Sequence, residues 1–267
     1  MSSSPFCLYY ATYSICATMV RTTFAMRGPP REGLPDMDMR FQLVDISPEN
    51  PEQLSEDFLC KVNRDGQVPV LTNEQHLTEP MPESVDISYY ICDWYPQLLP
   101  KEHEAVIRSL VQELHQINYG VLTFGPGSRH PTRLVAKVEE LLEQPGLSES
   151  YRSALERKAK ILRGRQGTLT VESLAKHEAK TRELCSKVLA LMEKHGSEPP
   201  LSSLYIFGDS PTVLDAHMLP FLCRVVDGNR SDLIEPALLD WLEKFRKGGL
   251  WTEIVPGGST LPPYASS

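Results

Sequence analysis

The hydrophobic pattern of this chain changes once, near residue 93. Before it, short apolar runs alternate with short helical patterns; after residue 100 only helical spacing recurs. Pro5-Phe6-Cys7-Leu8-Tyr9-Tyr10 reads as a strand. Ile15, Met19, Val20, Thr23 and Phe24 then fall on one face of a helix that starts at Ser14. The Gly- and Pro-rich residues 27–35 are a loop. Residues 39–46 alternate and predict a second strand. Leu54, Phe58, Leu59 and Val62 predict a short second helix, and Asn63-Arg64-Asp65-Gly66 a turn. Residues 68–71 predict a third strand with Pro69 near its start, and His76-Leu77 a short fourth. Val85, Ile87, Tyr90 and Ile91 predict a third helix behind Glu83-Ser84.

A strand, helix, strand unit requires a parallel pair. The closing strands and helix complete a mixed sheet with helices on its faces, an α/β domain over residues 1–93. Residues 94–100 read as a linker. Residues 101–267 form an all-α domain, with helices predicted over 102–122, 131–142, 148–163, 170–195, 212–226 and 235–247. Pro199-Pro200 interrupts this series and a loose tail follows Pro256.

Composition narrows the function classes. The 267 residues carry a net charge of −8, which argues against nucleic acid or an anionic membrane surface as the main partner. No apolar run approaches the length of a spanning helix, and the N-terminus lacks the pattern of a signal peptide. The six cysteines have neither metal-ligand nor redox-motif spacing and read as reduced thiols of a cytoplasmic protein.

Three features carry candidate chemistry. Ser14, where the first strand hands over to the first helix, suits a helix cap. It equally suits presentation of a hydroxyl to an anion at the positive end of the helix. Pro69 opens a strand where a cis bond would turn the backbone of Val68 outward, although trans is the commoner form. Glu83-Ser84 at a helix start is either a cap with an acidic neighbour or a pair holding an amino-acid head. The basic run Arg152, Arg157, Lys158, Lys160, Arg163 and Arg165 reads as a solvated helix face.

Taken together these residues resemble the glutathione transferase superfamily, over the whole chain. Gln67-Val68-Pro69 followed by Glu83-Ser84 is the more specific pair. Thr212 and Asp215, within residues 208–217, are similar to the capping box of that family's helical domain. Residues 14–21 are similar to the Ser-Ser-Cys-Ser-x-x-Val-Arg start of the zeta class, with Ile15 replacing its second Ser. Gln53-Leu54-Ser55 is similar to that class's Gln-Phe-Ser. The approach to Glu83-Ser84 is longer than usual, which leaves Thr78-Glu79 as a rival pair. Residues 125–170 look like an insertion that enlarges the helical domain. The combination is similar to divergent fungal transferases of natural-product pathways.

The resemblance implies a thioredoxin-like first domain that binds glutathione and a helical domain that binds an electrophile. Ser14 would be the catalytic contact to the glutathione sulfur. Val68, with Pro69, would pair with the cysteinyl backbone; Glu83 and Ser84 would hold the γ-glutamyl group, and Gln53 the glycyl end. Tyr13, His115, Tyr119 and Phe124 would line the electrophile site. A homodimer is implied. The reaction is thiolate addition, with glutathione-dependent cis–trans isomerisation as the alternative. Two further readings remain: a thiol-transferase working through Cys16, and a non-catalytic carrier of the same fold.

Overall fold

The computed structural model describes residues 4–128, 130–195 and 204–261, the side chains of residues 130 and 131 excepted. Three strands, β1 (Phe6–Tyr10), β2 (Met39–Leu43) and β3 (Val70–Thr72), form a sheet in the order β2-β1-β3. β1 is parallel to β2 with Leu8 opposite Phe41, and antiparallel to β3 with Leu8 opposite Leu71. Helix α1 (Ile15–Ala25) is the crossover between the parallel strands. Helix α2 (Ser84–Trp94) lies beside it. The rest is helical: α3 (Glu104–His115), α4 (Tyr119–Phe124), α5 (His130–Leu142), α6 (Glu149–Gln166) and α7 (Val171–His195). They are followed by α8 (Val213–Asp227), α9 (Pro236–Arg246) and α10 (Gly249–Ile254). This is a mixed sheet with helices, followed by an all-helical region, as the periodicity predicts. Pro199-Pro200 and the tail beyond residue 261 lie outside the described residues.

Helix α8 joins the two regions. Every residue from Val213 to Val225 is buried, because α8 packs on α1 and α2 on one side and on α3, α4 and α9 on the other. It starts at the predicted capping box. Asp215 is fully buried and accepts from the Thr212 backbone N–H at 2.8 Å, the Thr212 hydroxyl at 2.7 Å and the Ile206 N–H at 2.7 Å.

Several local expectations change. The second helix becomes a 3-10 turn, Glu52–Leu54, and a wide turn, Phe58–Val62, closed by the Asn63 N–H on the Phe58 carbonyl at 2.8 Å. Its apolar residues serve two cores: Phe58 packs with Val44 and Val70, while Leu54 and Leu59 pack against α5 and α6. No strand forms at His76-Leu77. The Asn73 side chain accepts from the Gln75 and His76 N–H groups, both at 2.8 Å, and curls the chain. Pairing with β3 is instead the single bridge Leu71↔Met81. The expected linker is packed: Tyr95 and Leu98 are fully buried, and the Tyr95 hydroxyl bonds Asp36 and accepts from the Met37 N–H. The helix expected over 102–122 breaks before Asn118, whose side chain caps α4 through the Val121 N–H at 3.2 Å.

Residues 125–170 depart most from expectation. α5 and α6 pack on each other, and their apolar face forms a separate core with Leu54 and Leu59, built from Val138, Tyr151, Leu155, Ala159 and Leu162. The Tyr151 hydroxyl donates to the Leu54 carbonyl at 2.8 Å, and the Ser148 hydroxyl bonds Glu56. The pair therefore braces the sheet-containing region rather than widening the main helical core.

Candidate active site

Ser14 sits between β1 and α1 with extended backbone (φ −82°, ψ 111°), as an N-cap residue must. Its hydroxyl accepts from the Ala17 N–H at 3.3 Å and donates to the Val68 carbonyl at 3.3 Å. Both distances exceed the usual range for strong hydrogen bonds, so the hydroxyl is held in place but free to turn toward a better acceptor. The capping and functional readings of Ser14 therefore coincide at one atom. The Val68–Pro69 bond is cis.

The turn before Val68 is tightly determined. Gly66 has φ +58°, and a Cβ there would meet the Gln53 carbonyl at 2.9 Å, so glycine is required by conformation and by space. The Asn63 side-chain amide donates to the Gln67 carbonyl at 2.9 Å. From α6, the buried Lys158 ammonium donates to the Asp65 and Gly66 carbonyls, both at 2.8 Å, and Arg157 pairs with Asp65 at 2.5 Å.

These groups open on a cavity of about 470 Å³, within the size range of small-molecule sites. Its wall carries Ser14, Cys16, Gln53 and Val68. The same wall carries Tyr119 and Phe124 from α4, Leu162 and Arg165 from α6, and Arg224 from α8. Tyr13 is also on the wall. Three of the four expected lining residues, Tyr13, Tyr119 and Phe124, are thus brought to Ser14. His115 is not among the wall residues. Its Nε2 meets Nδ1 of His217 at 2.9 Å, and Nε2 of His217 meets the Ser88 hydroxyl at 2.9 Å. Burial pulls the His115 pKa down to about 4 and that of His217 well below its usual value, so both rings are neutral near pH 7.

Gln53 is buried on the cavity wall, and its Oε1 has no hydrogen-bond partner among the described residues. A buried amide oxygen left in this way calls for a donor, from an ordered water or from a ligand. Glu83 and Ser84 are at the start of α2, outside the cavity wall. Ser84 is buried, and its hydroxyl acts on the Cys16 thiol to lower its pKa; Glu83 is exposed, with its charge within reach of the same thiol. The rival pair Thr78-Glu79 lies exposed in the bend before Met81, with no helix behind it. Burial pushes the Cys16 thiol pKa up, and the Ser84 hydrogen bond with the charges of Arg224 and Arg165 offsets only part of that. A working thiol needs the opposite shift.

Sequence reasoning passed over three cations. Arg224 is buried and clamps the loop ahead of Ser14: its Nη2 donates to the Tyr13 carbonyl at 2.8 Å and the Thr260 carbonyl at 2.7 Å. Lys158 and Arg165 belong to the basic run read as a solvated face. That reading holds for Arg152, Arg157, Lys160, Arg163 and Arg165, which are exposed, and fails for Lys158, which is 2% exposed; Arg165 nevertheless reaches the rim of the cavity. The available signal was spacing: Leu155, Lys158 and Leu162 share one helix face.

Burial, with the Arg165 charge, lowers the Lys158 pKa to about 7. An unfolded lysine titrates near 10.5, so between these values the unfolded chain keeps a proton that the folded one has released. Stability gained from this group therefore rises with pH through that window. Between pH 7 and pH 9 the protein is expected to gain about 2 kcal/mol relative to Lys158→Met. Urea unfolding of both proteins at the two pH values reads this difference directly; parallel behaviour would place the ammonium pKa above 9.

No protein-family pattern matches the sequence, and no curated protein is detectably similar to it. Solved structures are similar over nearly the whole chain. Glutathione S-transferase III in its apo form is 19% identical with a TM-score of 0.58, covering 97% of this chain and 99% of that one. A glutathione transferase homologue of Drosophila mojavensis, solved with bound glutathione, is 17% identical with a TM-score of 0.53, over 96% and 93% of the two chains. A bacterial maleyl pyruvate isomerase of the zeta class is 17% identical with a TM-score of 0.54, over 95% and 98%. A thioredoxin-like sheet region followed by an all-helical region, as in this chain, is the fold of the glutathione transferases.

Proposed function

We propose that this chain binds glutathione and adds its thiolate to an electrophilic small molecule. The observation that carries the reading is Ser14: a loosely bonded hydroxyl at the positive end of α1, beside the Val68 backbone, on an otherwise largely apolar cavity. A free thiol titrates near 8.5, so little thiolate exists at neutral pH. A hydroxyl donor and the first turn of a helix both favour the charged form. Ser14 supplies the donor without acting as a nucleophile.

The other groups bind and orient. Val68, ahead of Pro69, offers its backbone to the cysteinyl peptide. Gln53 Oε1 takes a donor near the glycyl end. Glu83 and Ser84 hold the γ-glutamyl group at the start of α2, and Tyr13, Tyr119 and Phe124 pack on the electrophile. Bound glutathione supplies a thiolate that forms a C–S bond to an electron-poor alkene carbon. The π pair moves onto the activating carbonyl, and the neighbouring carbon takes a proton from water.

Calorimetric titration with glutathione, followed by product mass after incubation with a conjugated enone, tests the reading. Binding and a product heavier by one glutathione are expected. An isomer of unchanged mass would make the protein an isomerase, and binding without turnover a carrier. Failure to bind glutathione would overturn the assignment.

A further inference from the structure

We propose that the electrophile carries a carboxylate or similar oxyanion and that Arg165 holds it. The proposal rests on the transferase reading and names the substrate class of that site. In a chain of net charge −8, the described wall of the cavity carries the guanidinium groups of Arg165 and Arg224, the Lys158 amine that is about half charged at pH 7, and no carboxylate side chain. Asp65 pairs with Arg157, and Glu83, whose charge reaches Cys16, stands outside the wall at the start of α2. A low-dielectric cavity lined by one sign of charge concentrates the opposite sign.

The three cations are not equivalent. Lys158 is engaged by the Asp65 and Gly66 carbonyls, and Arg224 by the carbonyls of Tyr13 and Thr260. Their work is to hold the protein backbone. Arg163 on α6 pairs with Glu139 at 2.6 Å, as Arg157 does with Asp65. Arg165 has no ion-pair partner among the described residues. It stands in the last turn of α6, exposed at the rim of the cavity that Ser14 also lines, and its charge reaches both Cys16 and Lys158. A guanidinium fork in this position suits a bidentate oxyanion. The aromatic rings of Tyr119 and Phe124 beside it suit the unsaturated body that the oxyanion substitutes.

Two sources of the oxyanion exist: the electrophile, and the glycyl carboxylate of glutathione. Kinetics with 4-phenylbut-3-en-2-one and its 4-carboxyphenyl analogue separate them. The protein should prefer the acid, and Arg165→Gln should cut the acid-to-neutral ratio of kcat/KM about tenfold. KM for glutathione should move less than KM for the acid, and Arg165→Lys should restore part of the ratio. Added NaCl should erode the preference. An unchanged ratio would overturn the proposal, as would a rise in the glutathione KM matching that of the acid. If neither enone turns over, calorimetry with each enone alone decides. Tighter binding of the acid, lost in Arg165→Gln, supports Arg165 even if the transferase reading fails; equal binding of acid and neutral compound overturns it.

Discussion

Ser14→Ala is expected to lower turnover at pH 7 by roughly 100-fold, the usual loss when one donor to a developing anion is removed. The deficit should shrink toward pH 9, because the bound thiol then ionises without help. The substitution also removes the α1 cap, worth about 1 kcal/mol, so the comparison needs circular dichroism evidence that the variant is folded. A pH–rate profile of the wild type, Ser14→Ala and Cys16→Ala checks the assignment. Cys16→Ala should retain most activity, since burial keeps that thiol protonated. A folded Cys16→Ala protein that binds glutathione but has no activity would transfer the chemistry from Ser14 to Cys16.

Asp215→Ala is expected to destabilise the fold by about 3 kcal/mol. Its carboxylate is fully buried and accepts three hydrogen bonds, from Ile206, the Thr212 backbone and the Thr212 hydroxyl. Removing it leaves two buried backbone N–H groups unpaired, each costing about 1–3 kcal/mol when water cannot reach it. The effect extends beyond the cap, because α8 is the helix on which α1 and α3 both pack and from which Arg224 holds the Tyr13 carbonyl. Urea denaturation should show a lower midpoint with an unchanged slope. A loss below about 1 kcal/mol would mean that residues 206–212 hold their position through packing alone.

Part of the cavity wall was legible along the chain: Tyr13, Ser14, Gln53, Val68, Tyr119 and Phe124 all reach it, whereas His115, Glu83 and Ser84 do not. A strand followed by Ser14 and a helical pattern specifies a capped helix start wherever that segment packs. Gln67-Val68-Pro69 and Glu83-Ser84 pointed to the two other edges of the same region. The capping box at Thr212 and Asp215 is local, because its partners lie three residues apart. His115 was misjudged for a physical reason. A histidine in the last turn of a helix reads the same whether its ring faces a ligand or another buried ring. Only the position of His217 on α8, 102 residues later, decides that.

By itself the sequence determined the order of elements, their caps, and the division into a sheet-containing and a helical region. Those properties depend on spacings of two to four residues, which any backbone must respect. The tertiary structure decided what each face meets. It split the helix predicted over residues 54–62 between two cores. It laid α5 and α6 on Leu54 and Leu59, and by doing so it buried Lys158 against the Asp65-Gly66 turn. It also set the exposed Arg165 at the rim of the cavity, while Arg157 and Arg163 on α6 formed ion pairs. Burial depends on surfaces contributed from about a hundred residues away. No local pattern carries that information, so a basic run on a helix becomes a clamp, an ion pair or a ligand contact only once the helix has docked.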